Sequence, residues 1–307
     1  MHIQKKTFGG IILNSGCNLS CIFCGGHPKS NDLKIKEEEM AVYNNLLDFK
    51  KDGVKKISIS GSDPIEYDKI IELVKYIKQE GFEFVQLSTH GTKLANSMFS
   101  NKLIKAGVDK FRIPLYGSNA KIHDSITKTN GSFDQIIKGI KNLLNKKNNI
   151  EIQISCLIVQ QNKNDLLKIV DLINKLGIKD FYFSIPCLTE EDCSFYIPLK
   201  DLKTHIKKLY DYALKINPQT MFLEIPFCVF GVFNLKNINN TTQPPNLGKY
   251  NQPIEKYKTS IPDLPSYRAK KKTNMCNKCK AFNHCDGFFI NDINKFGIGK
   301  LQPIYES

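Results

Sequence analysis

Lys56-Ile57-Ser58-Ile59-Ser60-Gly61-Ser62-Asp63-Pro64, Phe84-Val85-Gln86-Leu87-Ser88-Thr89-His90-Gly91 and Lys110-Phe111-Arg112-Ile113-Pro114-Leu115-Tyr116-Gly117 share one grammar. Each opens on a short strand-like apolar run and closes on small, polar and turn-forming residues. Helix-like segments, Tyr67–Gln79 and Ser97–Ala106, lie between them. The same alternation extends outward, with strands at Gly9–Leu13, Ile150–Ile158 and Phe181–Ile185 and helices at Lys36–Lys50, Phe133–Leu144 and Asn164–Leu176. Gly53, Gly81, Gly107 and Gly177 each follow a helix and precede a strand, as C-terminal cap glycines do. In the segment 164–176, Leu167, Val170, Leu172, Ile173 and Leu176 read as the apolar face. Strand–helix repeats of this kind build a parallel sheet with right-handed crossovers. The fold class is therefore α/β, a partial (β/α)6 TIM-like barrel with a small C-terminal metal-cluster domain. Active sites of such folds sit on the loops after the carboxyl ends of the strands.

The rhythm changes beyond Pro198, which divides the chain into 1–198 and 199–307. A helix at Leu202–Lys215 leads to a strand at Met221–Ile225, and an Asn/Pro/Lys-rich stretch follows from Asn234 to Lys272. The remainder reads as a small subdomain organised by metal rather than by a core, since small domains that bury little surface rely on such staples.

Composition narrows the function classes. No run of about 18 apolar residues exists, so a spanning helix is not expected. The first apolar segment is too short for a signal-peptide core and lacks a small-residue cleavage site, which makes the expected location cytoplasmic. The net charge of +14 comes almost entirely from lysine, Arg112 and Arg268 being the two arginines. Bidentate recognition of phosphate and guanine favours arginine, so nucleic acid is not the expected partner. The ten cysteines are the informative feature. Thiols stay reduced in the cytosol, where clustered cysteines are metal ligands or catalytic groups more often than disulfides.

Seven of those ten fall at Cys17/Cys21/Cys24, Cys228 and Cys276/Cys279/Cys285. The first three, in Cys17-Asn18-Leu19-Ser20-Cys21-Ile22-Phe23-Cys24, follow the first strand directly. Three thiolates can hold one cluster and leave a fourth iron without a protein ligand. The competing reading is a zinc knuckle closed by His27. In the C-terminal set, C-x2-C-x5-C spacing also suits zinc, with Cys228 or His284 completing a tetrahedron. Cys156, within a strand, reads as a small apolar residue. His90 and His123 read as residues that fix loops by hydrogen bonding.

The Cys-x3-Cys-x2-Cys loop with Phe23 before its last cysteine resembles the signature of the radical S-adenosylmethionine (SAM) superfamily. That resemblance implies a [4Fe–4S] cluster on Cys17, Cys21 and Cys24 whose open iron binds SAM. An electron from the cluster then cleaves SAM to a 5′-deoxyadenosyl radical, which abstracts a substrate hydrogen. Gly61-Ser62-Asp63-Pro64 resembles the family's Gly-Gly-Glu-Pro segment, with Ser62 for the second glycine and Asp63 one methylene shorter than glutamate. An acid there meets the SAM ammonium. Ser88-Thr89-His90-Gly91 resembles the Thr-Asn-Gly turn, which adds Ser88 and His90 to the SAM-binding candidates. His123-Asp124-Ser125-Ile126-Thr127 and Gly131-Ser132-Phe133 resemble the branch with extra C-terminal clusters. Where many relatives have an arginine for the SAM carboxylate this chain has Thr127, with Lys128 beside it as the available cation.

Beside that loop, the C-terminal cysteines resemble the auxiliary-cluster domain called SPASM, in its shorter form called twitch, because Phe289 stands where a further SPASM cysteine would be. The resemblance implies an auxiliary [4Fe–4S] cluster on Cys276, Cys279, Cys285 and Cys228. Cys187 and Cys193 follow the sixth strand, where a thiol would return a hydrogen atom to a substrate radical, as peptide epimerases of this superfamily do. The implied partners are a ribosomally made peptide or protein to be crosslinked, epimerised or otherwise matured, and an electron donor of flavodoxin or ferredoxin type. A small-molecule substrate, such as a cofactor precursor or sugar, is the alternative within enzymes. A non-catalytic Fe–S or zinc-binding protein that keeps the fold is the alternative outside them.

Overall fold

The computed structural model describes residues 8–13, 16–24, 35–146, 150–188, 193–231 and 269–305. His27, Arg268 and most of the Asn/Pro/Lys-rich stretch lie outside them. Strands β1 (Phe8–Leu13), β2 (Lys56–Gly61), β3 (Phe84–Ser88), β4 (Lys110–Pro114), β5 (Glu151–Leu157), β6 (Asp180–Ser184) and β7 (Met221–Leu223) form one parallel sheet in that order. Helices α1 (Ile35–Lys51), α2 (Ile70–Gln79), α3 (Ser97–Ala106), α4 (Ala120–Thr127), α5 (Ser132–Leu144), α6 (Leu166–Lys175) and α7 (Leu199–Ile216) connect them. After β7 come α8 (Phe227–Phe230), a short antiparallel pair β8 (Lys270–Lys271) and β9 (Phe288–Phe289), and α9 (Ile290–Phe296). The strand expected at Met221–Ile225 thus joins the six of the expected barrel as a seventh, with Phe222 paired to Phe183 in parallel register.

Among the described residues the chain divides into two compact units, one of 8–114 and 127–153, the other of 115–126, 154–231 and 269–305. The boundary expected after residue 198 falls inside the second unit.

In the first unit, strand alternation separates two kinds of side chain. Ile11, Ile57, Ile59, Val85, Leu87, Phe111 and Ile113 are almost wholly buried and form the apolar set. In β2, β3 and β4 the intervening positions Ser58, Gln86 and Arg112 are polar. Gln86 donates to Ser58 Oγ at 3.0 Å, and Arg112 Nε donates to Gln153 Oε1 at 2.8 Å. Parallel sheets buried by helices on both faces read as continuous apolar runs, so this alternation marks a face left to polar groups. All four cap glycines take positive φ, as expected. Gly139 meets a different need within α5. A Cβ there would lie 2.7 Å from the Gly91 carbonyl oxygen and 2.9 Å from Leu94 Cβ, so its absence lets the turn after β3 press against the helix.

The second unit has an apolar core of its own. Phe222 stacks on Phe183 at 5.8 Å, and Tyr210 lies 5.3 Å from Phe222 and 5.0 Å from Phe230. Each such ring contributes roughly 1.5–3 kcal/mol on burial. The reading of this region as organised by metal rather than by a core is corrected for 199–231, where rings tie α7, β7 and α8 together. The expected face of α6 is also corrected. Leu166, Ile169, Val170 and Ile173 are buried, whereas Leu167 is 38% exposed. The helix is turned so that Asp165, just before it, accepts from Ser118 N at 2.7 Å and Ser118 Oγ at 2.8 Å.

Asp292 in α9 is fully buried, close to the buried phenol of Tyr196 and the backbone at the start of α7. Burial lifts its carboxyl from about 3.8 to about 6. The folded state therefore holds the proton more tightly than the unfolded chain. The resulting stabilisation is full below the unfolded value and is lost as pH rises through about 6. Asp292→Asn should remove this component, so the wild-type urea midpoint should fall relative to the variant's between about pH 4 and 7. Parallel pH profiles for the two proteins would contradict it. For Gly139→Ala, helix propensity alone predicts a gain of about 1 kcal/mol. The contact with the Gly91 carbonyl reverses that sign, and the expected result is a net loss of about 1–3 kcal/mol in chemical denaturation.

Candidate functional site

In the first unit the cysteine loop is pinned at several points by its own backbone. Ser20 N donates to Thr127 O at 3.0 Å, Cys24 N to Cys21 O at 3.0 Å, and Asp63 N to Gly16 O at 3.0 Å. Asn18 Nδ2 donates to Thr92 Oγ1 at 2.8 Å, which ties the loop to the turn after β3. Leu19 N donates to Cys17 Sγ at 3.4 Å, and the Leu19 side chain is buried. Cys21 is buried, Cys17 half-buried and Cys24 exposed. Burial, followed by the nearness of Cys24 and of Asp63 and Glu66, pushes the Cys17 thiol up to about 11. Burial and the other two thiols push Cys21 up to about 12. Such thiols become thiolates only against a strong positive centre, and a metal supplies one.

Gly61 ends β2 at φ +133, and a Cβ there would lie 1.9 Å from the Leu13 carbonyl oxygen. Only glycine lets the chain turn here, directly beside the cysteine loop. Ser62 N then donates to Leu13 O at 3.1 Å. Asp63 is fully buried and caps the short turn Pro64–Glu66, its Oδ1 accepting from Thr89 Oγ1 at 2.6 Å and Ile65 N at 3.4 Å. Burial raises its carboxyl to about 7, against these hydrogen bonds. Thr89 Oγ1 also accepts from Gly91 N at 3.1 Å. Ser88 Oγ is buried with no hydrogen-bond partner among the described residues, and His90 is half-buried.

Phe23 is half-buried in the cysteine loop, and Lys128 is exposed at φ +53. Thr127 is buried, with its hydroxyl 2.8 Å from Ser132 Oγ. A wide cavity of about 1000 Å³ opens beside Asn18 and is bordered by Thr92, Lys93, Asn96, Asp134 and Lys138. Glu66 was not singled out by the sequence. It forms an ion pair with Lys93 at 2.9 Å, and its charge reaches both Cys17 and Asp63. Its signal was the second acid three residues after Asp63 across Pro64.

The second unit holds the remaining candidates. His123 is fully buried, accepts from Tyr116 N at 3.1 Å through Nδ1, and stacks on the Tyr116 ring at 5.6 Å. That geometry fixes a loop. Cys156 is fully buried in β5. Cys187 and Cys193 are half-buried, and Lys295 Nζ lies 2.9 Å from Cys193 Sγ.

Cys228 is buried in α8, 48 residues before Cys276 in the chain, yet both line one small cavity with Cys279 and Cys285. His284 is exposed and does not line it. Backbone N–H groups point at the sulfurs, Thr273 N to Cys276 Sγ and Ile304 N to Cys279 Sγ, both at 3.4 Å. Cys285 accepts from the backbone of Gly287 and Phe227. Donors of this kind favour thiolate and tune metal–sulfur sites. Burial, with the other three thiols, pushes Cys228 up to about 12. Among the described residues no three His, Cys, Asp or Glu side chains converge tightly enough for a single metal ion. A multinuclear cluster does not require such convergence, since each thiolate takes its own iron.

These arrangements have counterparts in known proteins. The profile of the radical SAM superfamily matches residues 11–173, from β1 into α6. A probable GTP 3′,8-cyclase of Methanocaldococcus jannaschii is 30% identical over 210 residues, covering 67% of this chain and 68% of that protein. One from Saccharolobus solfataricus is 27% identical over 174 residues, 56% of this chain and 54% of its own length. In fold, the crystal structure of SuiB from Streptococcus suis bound to SAM aligns with a TM-score of 0.60 at 16% identity, covering 98% of this chain and 76% of that one. A second structure of SuiB is bound to its precursor peptide SuiA. The sheet of parallel strands and helices is accordingly that of the partial TIM barrel of such enzymes. This chain belongs to the radical SAM superfamily, whose enzymes work with a [4Fe–4S] cluster and S-adenosylmethionine.

Proposed function

We propose that Cys17, Cys21 and Cys24 hold the [4Fe–4S] cluster that binds SAM, and that Cys228, Cys276, Cys279 and Cys285 hold a second, auxiliary [4Fe–4S] cluster. The bound cofactors supply one-electron cleavage of SAM and the radical that takes a substrate hydrogen. The chain positions and insulates. Gly61 and Ser62 bring backbone close to the cysteine loop, and Asp63, locked by Thr89, offers an acid toward the SAM ammonium. Ser88, His90 and Phe23 border the same loops, and Lys128 is the cation nearest in sequence to Thr127. Cys187 and Cys193 are the candidate hydrogen-atom donors, and Lys295 orients Cys193.

The gathering of Cys228 with the three C-terminal cysteines around one cavity carries the reading of a second cluster. In it, residues 199–307 form the twitch-like part. The substrate is a ribosomally made peptide or protein. The fold likeness that runs through 98% of the chain, second site included, is to SuiB, which has been crystallised with a precursor peptide. A small-molecule substrate is the second reading, favoured by the relatives named GTP 3′,8-cyclase. The reduced thiols suit the cytoplasm, with a flavodoxin or ferredoxin as reductant.

After anaerobic reconstitution the wild type should carry about eight irons per chain and Cys228→Ser about four fewer or a labile cluster, since each cubane takes four cysteines or three plus SAM. Full, equally stable iron loading in the Cys228→Ser protein would remove Cys228 from the site. Incubation of the reduced enzyme with GTP, and separately with a candidate ribosomal precursor peptide, should change the peptide's mass and leave GTP intact. The reverse result would favour the small-molecule reading.

A further inference from the structure

Five lysines fall within Lys270–Lys280, and no acidic residue follows until Asp286. Lys270 is largely buried, pairs with Glu224 and lies over the Phe289 ring at 4.9 Å. Lys271, Lys272, Lys278 and Lys280 are exposed, and none meets a carboxylate among the described residues. Some exposed lysines elsewhere do, as in Lys50–Glu80, Lys55–Glu83 and Lys207–Asp211. Among the described residues this patch gathers, within eleven residues of chain, four positive charges without a carboxylate partner.

Two aromatic rings stand in the same place. Among the described residues, the large exposed aromatic side chains are Phe282, at 36%, and Tyr305, at 59%. Phe282 N donates to Cys279 O at 2.9 Å, and Ile304, next to Tyr305, donates to Cys279 Sγ. Lys272 Nζ lies 3.9 Å from the centre of the Phe282 ring and donates to Phe282 O at 2.7 Å. Phe282 also lines the cavity of the four cysteines. Exposed aromatics such as Tyr305 are enriched at protein–protein hot spots, and the surrounding lysine charge steers an oppositely charged partner.

We infer that this face docks an acidic one-electron carrier protein, which exchanges electrons with the chain through the second cysteine site. The inference rests on reading that site as an iron–sulfur cluster. An acidic partner is set by the lysines. A redox partner is set by what they surround, since Cys276, Cys279 and Cys285 are only half-buried beneath Phe282. The exchange balances simply: the carrier loses one electron, the cluster gains it, and no proton or bond moves.

The test is calorimetric binding of an acidic flavodoxin to the reconstituted holoenzyme at low ionic strength. Lys278→Glu/Lys280→Glu, which flanks Cys279 but does not line the cavity, should weaken binding about tenfold or more with iron content unchanged, and raising the salt should weaken the wild type likewise. Tyr305→Ala should weaken it in the same direction. The same two-charge reversal on α3, Lys102→Glu/Lys105→Glu, should leave the affinity within about twofold. Equal weakening by both reversals, or none by either, would overturn the docking face. So would loss of binding to an acidic peptide alone, with flavodoxin affinity unchanged. Iron content measured on the same samples reports separately on whether the second cluster exists.

Discussion

A buried thiol resists losing its proton, and neighbouring thiols make the loss harder still. Cys21 is held up to about 12 and Cys17 to about 11 for that reason. The same constraint acts at the other end of the chain, where Cys228 is also pushed up to about 12 beside three more thiols. Cys17, Cys21 and Cys228 are poor nucleophiles as they stand, which suits the proposed role of these sets in holding iron. Around each, backbone N–H groups are already aimed at sulfur, so ligand geometry is set by the fold rather than left to the metal.

The sheet makes that possible by delivering loops. Parallel strands place the end of β1, the Gly61 turn after β2 and the Thr89 turn after β3 side by side, and hydrogen bonds between those loops do the rest. Each such bond contributes about 1 kcal/mol net, small beside the apolar set behind the strands. Their value lies in direction. Asp63 illustrates it: with one oxygen bound to Thr89 and Ile65, the carboxylate is fixed before any ligand arrives. Exposed ion pairs such as Lys50–Glu80 add little, about 0–1 kcal/mol each.

Much of this was legible in the sequence, because strand alternation and cap glycines are local signals. β1 to β6 and the long helices fall where the residues put them, to within a few positions. What escaped was decided by tertiary contacts. The strand expected at Met221–Ile225 is there as β7, but its place as a seventh strand of the sheet depends on its pairing with β6. α4, α8 and α9 are too short for helical periodicity to register. The face of α6 was misread by one position, since Leu167 is as apolar as Leu166 and periodicity alone does not choose between them. At the sites, the cysteine spacing was strong, and the identity of a fourth thiol was not. Cys228 reaches its cavity through packing of α8 that no spacing rule encodes. Glu66 bears on the site through its charge and its pair with Lys93, and its spacing from Asp63 was the one signal for it.

The most direct test of radical SAM chemistry on these residues is product analysis of the anaerobically reconstituted protein with SAM and dithionite. 5′-Deoxyadenosine should appear, and a Cys21→Ala variant that still folds should produce none. Fully iron-loaded protein that yields no 5′-deoxyadenosine, or a Cys21→Ala variant that yields as much as the wild type, would contradict the assignment of Cys17, Cys21 and Cys24 to the catalytic cluster.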